Sequence, residues 1–140
     1  MARRVLVGLG LVLALGLSGC GRAKGPVTAV VTGKVTLNGE SLADGSINFL
    51  PADGNGVTSG AKIVNGTYRA DVPPGPKRVE IRSTKVVGQK VAYEGDPNSP
   101  KYDIVEERIP DKYNANSELK ASVNAGSNKA DFPLEAPKKE

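Results

Sequence analysis

The chain has 140 residues, enough for one domain. It has no His, one Cys, no Trp and 4% aromatics, which excludes Ser-His-Asp and Cys-His catalysis, an internal disulfide and a zinc site of several thiolates. The formal charge is +4, but no run of five or more Lys/Arg occurs and no aromatics interleave with basic residues, so the pattern gives no support for nucleic-acid binding.

The N-terminus reads as an address. Arg3 and Arg4 precede an unbroken run of apolar or Gly residues over 5–17. A spanning helix needs ~20 such residues, so this run has the length of a secretory signal rather than a membrane anchor. It ends in Leu17-Ser18-Gly19-Cys20, which resembles the lipobox of bacterial lipoprotein precursors at all four positions. Small side chains before the cut let the backbone enter a peptidase extended, and a thiol accepts a diacylglyceryl group. The resemblance implies that residues 1–19 are a signal peptide and that Cys20 becomes the acylated first residue. Each buried CH₂ adds ~0.8 kcal/mol, so the two or three chains of such a lipoprotein hold the membrane durably. Gly21 after the Cys implies, by the same resemblance, export to the outer membrane of the cell envelope. Loss of Arg3 and Arg4 takes the 19 basic side chains to 17 against 15 acidic ones, a net charge of +2.

Residues 20–27 form a short polar tether, after which the apolar period becomes two, the strand signature. Val31, Gly33, Val35 and Leu37 share one face, and Asn38-Gly39 is a tight-turn dipeptide. Asp44-Gly45 reads as a second turn, after which Ile47 and Phe49 point one way. Residues 51–58 form a Gly-rich loop. Ala61 and Ile63, the Asn65-Gly66 turn, and Tyr68, Ala70 and Val72 make the clearest hairpin. Pro73-Pro74-Gly75-Pro76 breaks the pattern and excludes a central strand there. Val79, Ile81 and Ser83 then alternate with charged neighbours.

Residues 86–112 form a long insert with three Pro, two Tyr and many charges, and the periodicity of 102–109 does not decide between strand and helical turn. A connection longer than ~12–15 residues is usually functional or disordered. Leu119, Ala121 and Val123 restore the alternation, residues 125–128 turn, and Ala130, Phe132 and Leu134 complete it. The tail over 136–140 is polar. About seven short strands with turn signals every ~8–12 residues give an all-β class, an antiparallel sandwich over 28–135.

Val31-Thr32-Gly33-Lys34-Val35, Asn38-Gly39 and Leu42-Ala43-Asp44-Gly45 resemble the opening of a carboxypeptidase regulatory-like domain. Asn65-Gly66-Thr67-Tyr68 and Val72-Pro73-Pro74-Gly75 resemble its next hairpin and exit. Ile109-Pro110-Asp111-Lys112-Tyr113-Asn114 matches a segment of small bacterial lipoproteins built of a signal, a Cys and one such domain. Pro76-Lys77-Arg78-Val79 lacks the aromatic that the broader domain carries there. The resemblance spans 28–134 and implies an immunoglobulin-like, transthyretin-like sandwich without enzymatic activity or cofactor. Hydroxyisourate hydrolases share that fold but use His, which this chain lacks.

Asp53-Gly54-Asn55 lacks the further ligands of a calcium loop and reads as a turn, so no metal site is expected. The acids Glu94, Asp96, Asp103, Glu106 and Glu107 are numerous enough for a glycosidase pair, which keeps a carbohydrate-active hydrolase as the alternative function. Beside Lys90, Lys101 and Arg108 they read more simply as a solvated loop. Tyr93, Tyr102 and Tyr113 combine rigid area with a hydroxyl, which suits recognition, although packing of the insert onto its own sheet is weighed ahead of it. Tyr113 is the one expected to be buried. The candidate contact residues are therefore Tyr93, Tyr102, Arg108 and Tyr113, for an envelope protein or polysaccharide.

Overall fold

A computed structural model describes residues 27–137. The expected signal segment over 1–19, the expected lipidation site Cys20, most of the expected tether and the last three residues lie outside the described residues. Among the described residues no helix is long and apolar enough to cross a membrane.

The chain is all-β. In order come β1 (Ala29–Leu37), β2 (Glu40–Ser41), β3 (Asp44–Pro51), β4 (Ser59–Val64), β5 (Thr67–Val72), β6 (Gly75–Arg82), β7 (Thr84–Val91), β8 (Lys101–Glu107), β9 (Lys120–Val123), β10 (Ser127–Lys129) and β11 (Phe132–Leu134). Seven of them run β10-β1-β5-β4-β3-β6-β9 in one curled sheet, with β2 and β11 also paired to β1. β7 and β8 form a second sheet that pairs with nothing else. The architecture is the expected sandwich.

Alternation places the core. Val31 and Val35 of β1, Ile47 and Phe49 of β3, Ile63 of β4, Tyr68, Ala70 and Val72 of β5, and Val79 and Ile81 of β6 are all buried, as the period of two requires. Phe132 and Leu134 close the core from β11. The Phe49 and Tyr68 rings lie 6.0 Å apart and the Tyr68 and Phe132 rings 6.3 Å apart, so half of the six aromatics form one run through the core. Asn38 and Gly39 (φ 51° and 84°) join β1 to β2, and Asn65 and Gly66 (φ 50° and 74°) join β4 to β5. Both are two-residue turns with φ > 0, which Asn and Gly tolerate best.

Four expectations change. Asp44-Gly45 does not turn: it opens β3, and Gly45 serves close packing, since a Cβ there would lie 2.5 Å from the Arg82 carbonyl oxygen. Gly75 and Pro76 do belong to a strand, the start of β6. On the β3 side Pro51 pairs with Lys77 and the Ala52 amide donates to the Pro76 carbonyl at 3.1 Å; Pro76 has no amide to return that bond, so the ladder ends there. Residues 125–128 turn only as far as Gly126, because Ser127 already starts β10. β10 and β11 pair with β1 in parallel rather than antiparallel fashion.

The chain runs beside β1 in two pieces, broken at Ala130-Asp131. There the Ala130 amide donates to the Thr32 carbonyl at 2.9 Å, and the Lys34 amide donates to the Asp131 carboxylate at 2.8 Å. The Tyr68 hydroxyl donates to the Ala130 carbonyl at 2.7 Å. A Cβ on Gly33 would sit 1.7 Å from that same carbonyl oxygen, so this crossing requires glycine.

The strand registers also define two ends. Leu37, Asp44, Val64, Thr67 and Arg82 gather at one end, and Ala29, Pro51, Ser59, Val72 and Gly75 at the other.

Candidate functional site

The insert expected over 86–112 is an ordered hairpin that begins earlier, at Thr84, with only Ser83 separating it from β6. Its register runs from Thr84 opposite Glu107 to Val91 opposite Lys101, with Val87 as a bulge between Val86 and Gly88. Gln89 donates to the Asp103 carboxylate at 2.8 Å, and Lys85 lies 3.9 Å from Glu106. At the tip, Gly95 takes φ 86° and the Asp96 carboxylate accepts from the Asn98 amide at 2.9 Å. The Ser99 hydroxyl accepts from the Tyr93 amide at 2.7 Å, and the Ala92 amide donates to the Pro100 carbonyl at 2.9 Å. These local bonds satisfy a loop rich in Pro and Asx residues.

The root is tied to the sandwich by one carboxylate. Glu107 Oε1 accepts from the amides of Ser83 at 2.9 Å, Arg108 at 3.1 Å and Ile109 at 3.0 Å. The Arg108 amide also donates to the Ser83 carbonyl at 2.7 Å. An anionic acceptor bridging both strands of a stem fixes its angle more firmly than neutral bonds would. Ile109, just beyond, is buried in the core.

Outside the root the hairpin has no buried face. Directly paired residues share a face. Val86 and Val105 therefore lie on one side beside the bulged Val87, and Tyr102 and Ile104 on the other with Lys90 and Gly88. Gly88 leaves room for Ile104, whose Cδ1 is 3.8 Å from where a Cβ would stand. Val86, Val87, Tyr102, Ile104 and Val105 are each between 42% and 57% exposed. Two-stranded ribbons are marginal in water, and this one exposes apolar side chains on both faces.

Three of the four candidate contact residues belong to this arm. Tyr93 stands exposed at the tip and Tyr102 on one face. Arg108 sits at the root, where its guanidinium lies 3.7 Å from Asp44. It also lines a hollow of about 460 Å³ with Leu37, Asn38, Lys85, Glu107 and Pro137. Tyr113 is elsewhere. It ends a 3₁₀ turn (Asp111–Tyr113), packs against the core, accepts from the Glu135 amide at 3.2 Å and lies under Lys112. It is half-buried rather than buried, and it packs as the sequence suggested.

The acids are dispersed in their roles. Asp103, Glu106 and Glu107 are engaged as described, and Asp96 holds its own turn. Asp53 likewise accepts from the Asn55 amide at 3.0 Å. Among the described residues no group of three or more His, Cys, Asp or Glu could hold a metal ion.

One feature escaped the sequence reading. At the opposite end of the sandwich a cleft of about 310 Å³ is lined by Pro76, Lys77, Arg78, Ser117, Lys120 and their neighbours. Lys77 is buried there on the core side of β6. Its signal was present: Lys77 has the phase of Val79, Ile81 and Ser83. Comparisons of the chain with protein-family models, with curated proteins and with solved structures found no match.

Proposed function

We propose that the protein is a non-catalytic lipoprotein of the bacterial cell envelope. It is held to the outer membrane through lipid on Cys20 and carries a carboxypeptidase regulatory-like sandwich that presents the β7–β8 hairpin to a protein partner. The observation that carries this reading is the hairpin itself, an arm rigid at its root with apolar side chains on both faces. Aliphatic Val86, Val87, Ile104 and Val105 suit a protein surface better than a polysaccharide, which would be met by aromatic faces and converging polar groups. The individual structural duties of Asp96, Asp103 and Glu107 support a binding role over the glycosidase alternative, which needs two carboxylates free to act on one bond.

The test is a crosslinking pull-down from intact cells with a C-terminal tag. It compares the wild type with a variant whose residues 86–105 are replaced by a short Gly/Ser linker, leaving the Glu107 root in place. An envelope protein recovered with the wild type and lost with the variant is the expected result. Equal recovery by both would sink the proposal.

A further inference from the structure

We infer that the free edge of β8 is a self-recognition surface, pairing antiparallel with β8 of a second copy to give a continuous sheet in the order β7-β8-β8-β7. The inference rests on reading the hairpin as an interaction element, but it uses the edge where that reading uses the faces. The two edges of the ribbon are not alike. Both strands carry charged side chains, but β7 also carries the bulge at Val87, a feature that guards an edge against added strands. β8 has no Pro, Gly or bulge and pairs with β7 alone. An open, regular edge beside a guarded one gives an isologous, closed dimer rather than an open-ended fibre.

Charge fixes the register. A two-fold axis through Ile104 places Lys101 of each copy opposite Glu107 of the other and sets Ile104 against Ile104. Glu107 uses Oε1 at the root, which leaves Oε2 for the partner's lysine. The neighbouring registers that keep the faces aligned fail on the same criterion. Centring on Asp103 opposes two Asp103 carboxylates, and centring on Val105 opposes Asp103 to Glu107. Like charges directly opposite are destabilising and unlike charges stabilising. In the Ile104 register, both Tyr102 and both Ile104 share one face, and the valines of both copies share the other. Each apolar patch thereby doubles in width.

The experiment uses the full-length lipidated chain in its membrane and in detergent. Ile104→Cys puts two thiols on the axis, where facing Cα atoms stand about 4.5–5.5 Å apart, within disulfide reach. Mild oxidation is expected to give a disulfide dimer with Ile104→Cys and none with Gln89→Cys on the guarded strand. Light scattering of the wild type should give the mass of two copies. Lys101→Glu, at an exposed position that no fold contact uses, should weaken dimerisation about tenfold by opposing carboxylates at both ends. A monomeric wild type without Ile104→Cys crosslinking overturns the inference. Crosslinking indifferent to Lys101→Glu overturns its register. A chain that proves monomeric yet loses its envelope partner when 86–105 is replaced overturns the dimer alone, whereas a dimer that recovers no other protein overturns the recognition reading alone.

Discussion

Tyr68 shows how much one side chain does in a core poor in aromatics. Its ring bridges Phe49 and Phe132, and its hydroxyl satisfies the Ala130 carbonyl where the chain crosses Gly33. Burial, and next the Asp131 carboxylate, raise its ionisation well above the ordinary tyrosine range. The native state therefore holds this proton more tightly than the unfolded chain. Its stabilising contribution is complete below the unfolded value of about pH 10 and is lost as the pH climbs toward the higher native value. Tyr68→Phe keeps the ring contacts and removes the bond, so it should lower stability at neutral pH by about 1–2 kcal/mol. It should also flatten the alkaline fall that the wild type shows above about pH 10. Denaturant unfolding of both proteins across that range checks both statements; equally steep alkaline falls would refute the second.

Among the elements, those with one buried face were legible in the sequence and those without one were not. The buried runs of β1, β3, β5 and β6 read out residue by residue, because a half-buried strand imposes the period of two on its side chains, whereas the openings of β3 (Asp44-Gly45) and β6 (Gly75-Pro76) carry turn and breaker residue types and did not. The parallel course of β10 and β11 was hidden, since strand direction leaves that period unchanged. β7 and β8 were hidden for another reason. With no core to face, their residues need not alternate, and the bulge at Val87 shifts the phase midway. Glu107 was legible only as one acid among several, because its partners are backbone amides that no sequence pattern marks. Replacing it by Ala removes one acceptor from three amides. Glu107→Ala should speed hydrogen exchange throughout 84–91 and 101–107, by at least about tenfold for a loss near 1.4 kcal/mol. The β3 and β5 amides should exchange as before. Equal acceleration in those core strands would mean that the carboxylate supports the whole sandwich rather than the arm.

For the whole molecule, the separation into two sheets predicts two levels of stability. The hairpin contributes no buried side chain above its root, so replacing 86–105 by a short Gly/Ser linker should leave the sandwich intact. Lys85 and Glu106 already face each other, so the shortened connection closes without strain. The expected change is within about 1 kcal/mol, a few degrees in Tm by calorimetry. A loss of cooperative unfolding would contradict the independence of the two sheets.

The two ends of the sandwich give the arm a height. The chain enters β1 at Ala29, and the hairpin springs from the end where Leu37 and Arg82 lie. β1 is nine residues long, so the sandwich sets the root about 30 Å from the point of entry. Were the chain fastened at Cys20, as proposed, the eight residues 20–27 would span at most about 28 Å. The body of the protein then acts as a pedestal. On that proposal the two lengths together, rather than the hairpin alone, bound how far from the bilayer a partner can stand and still be reached.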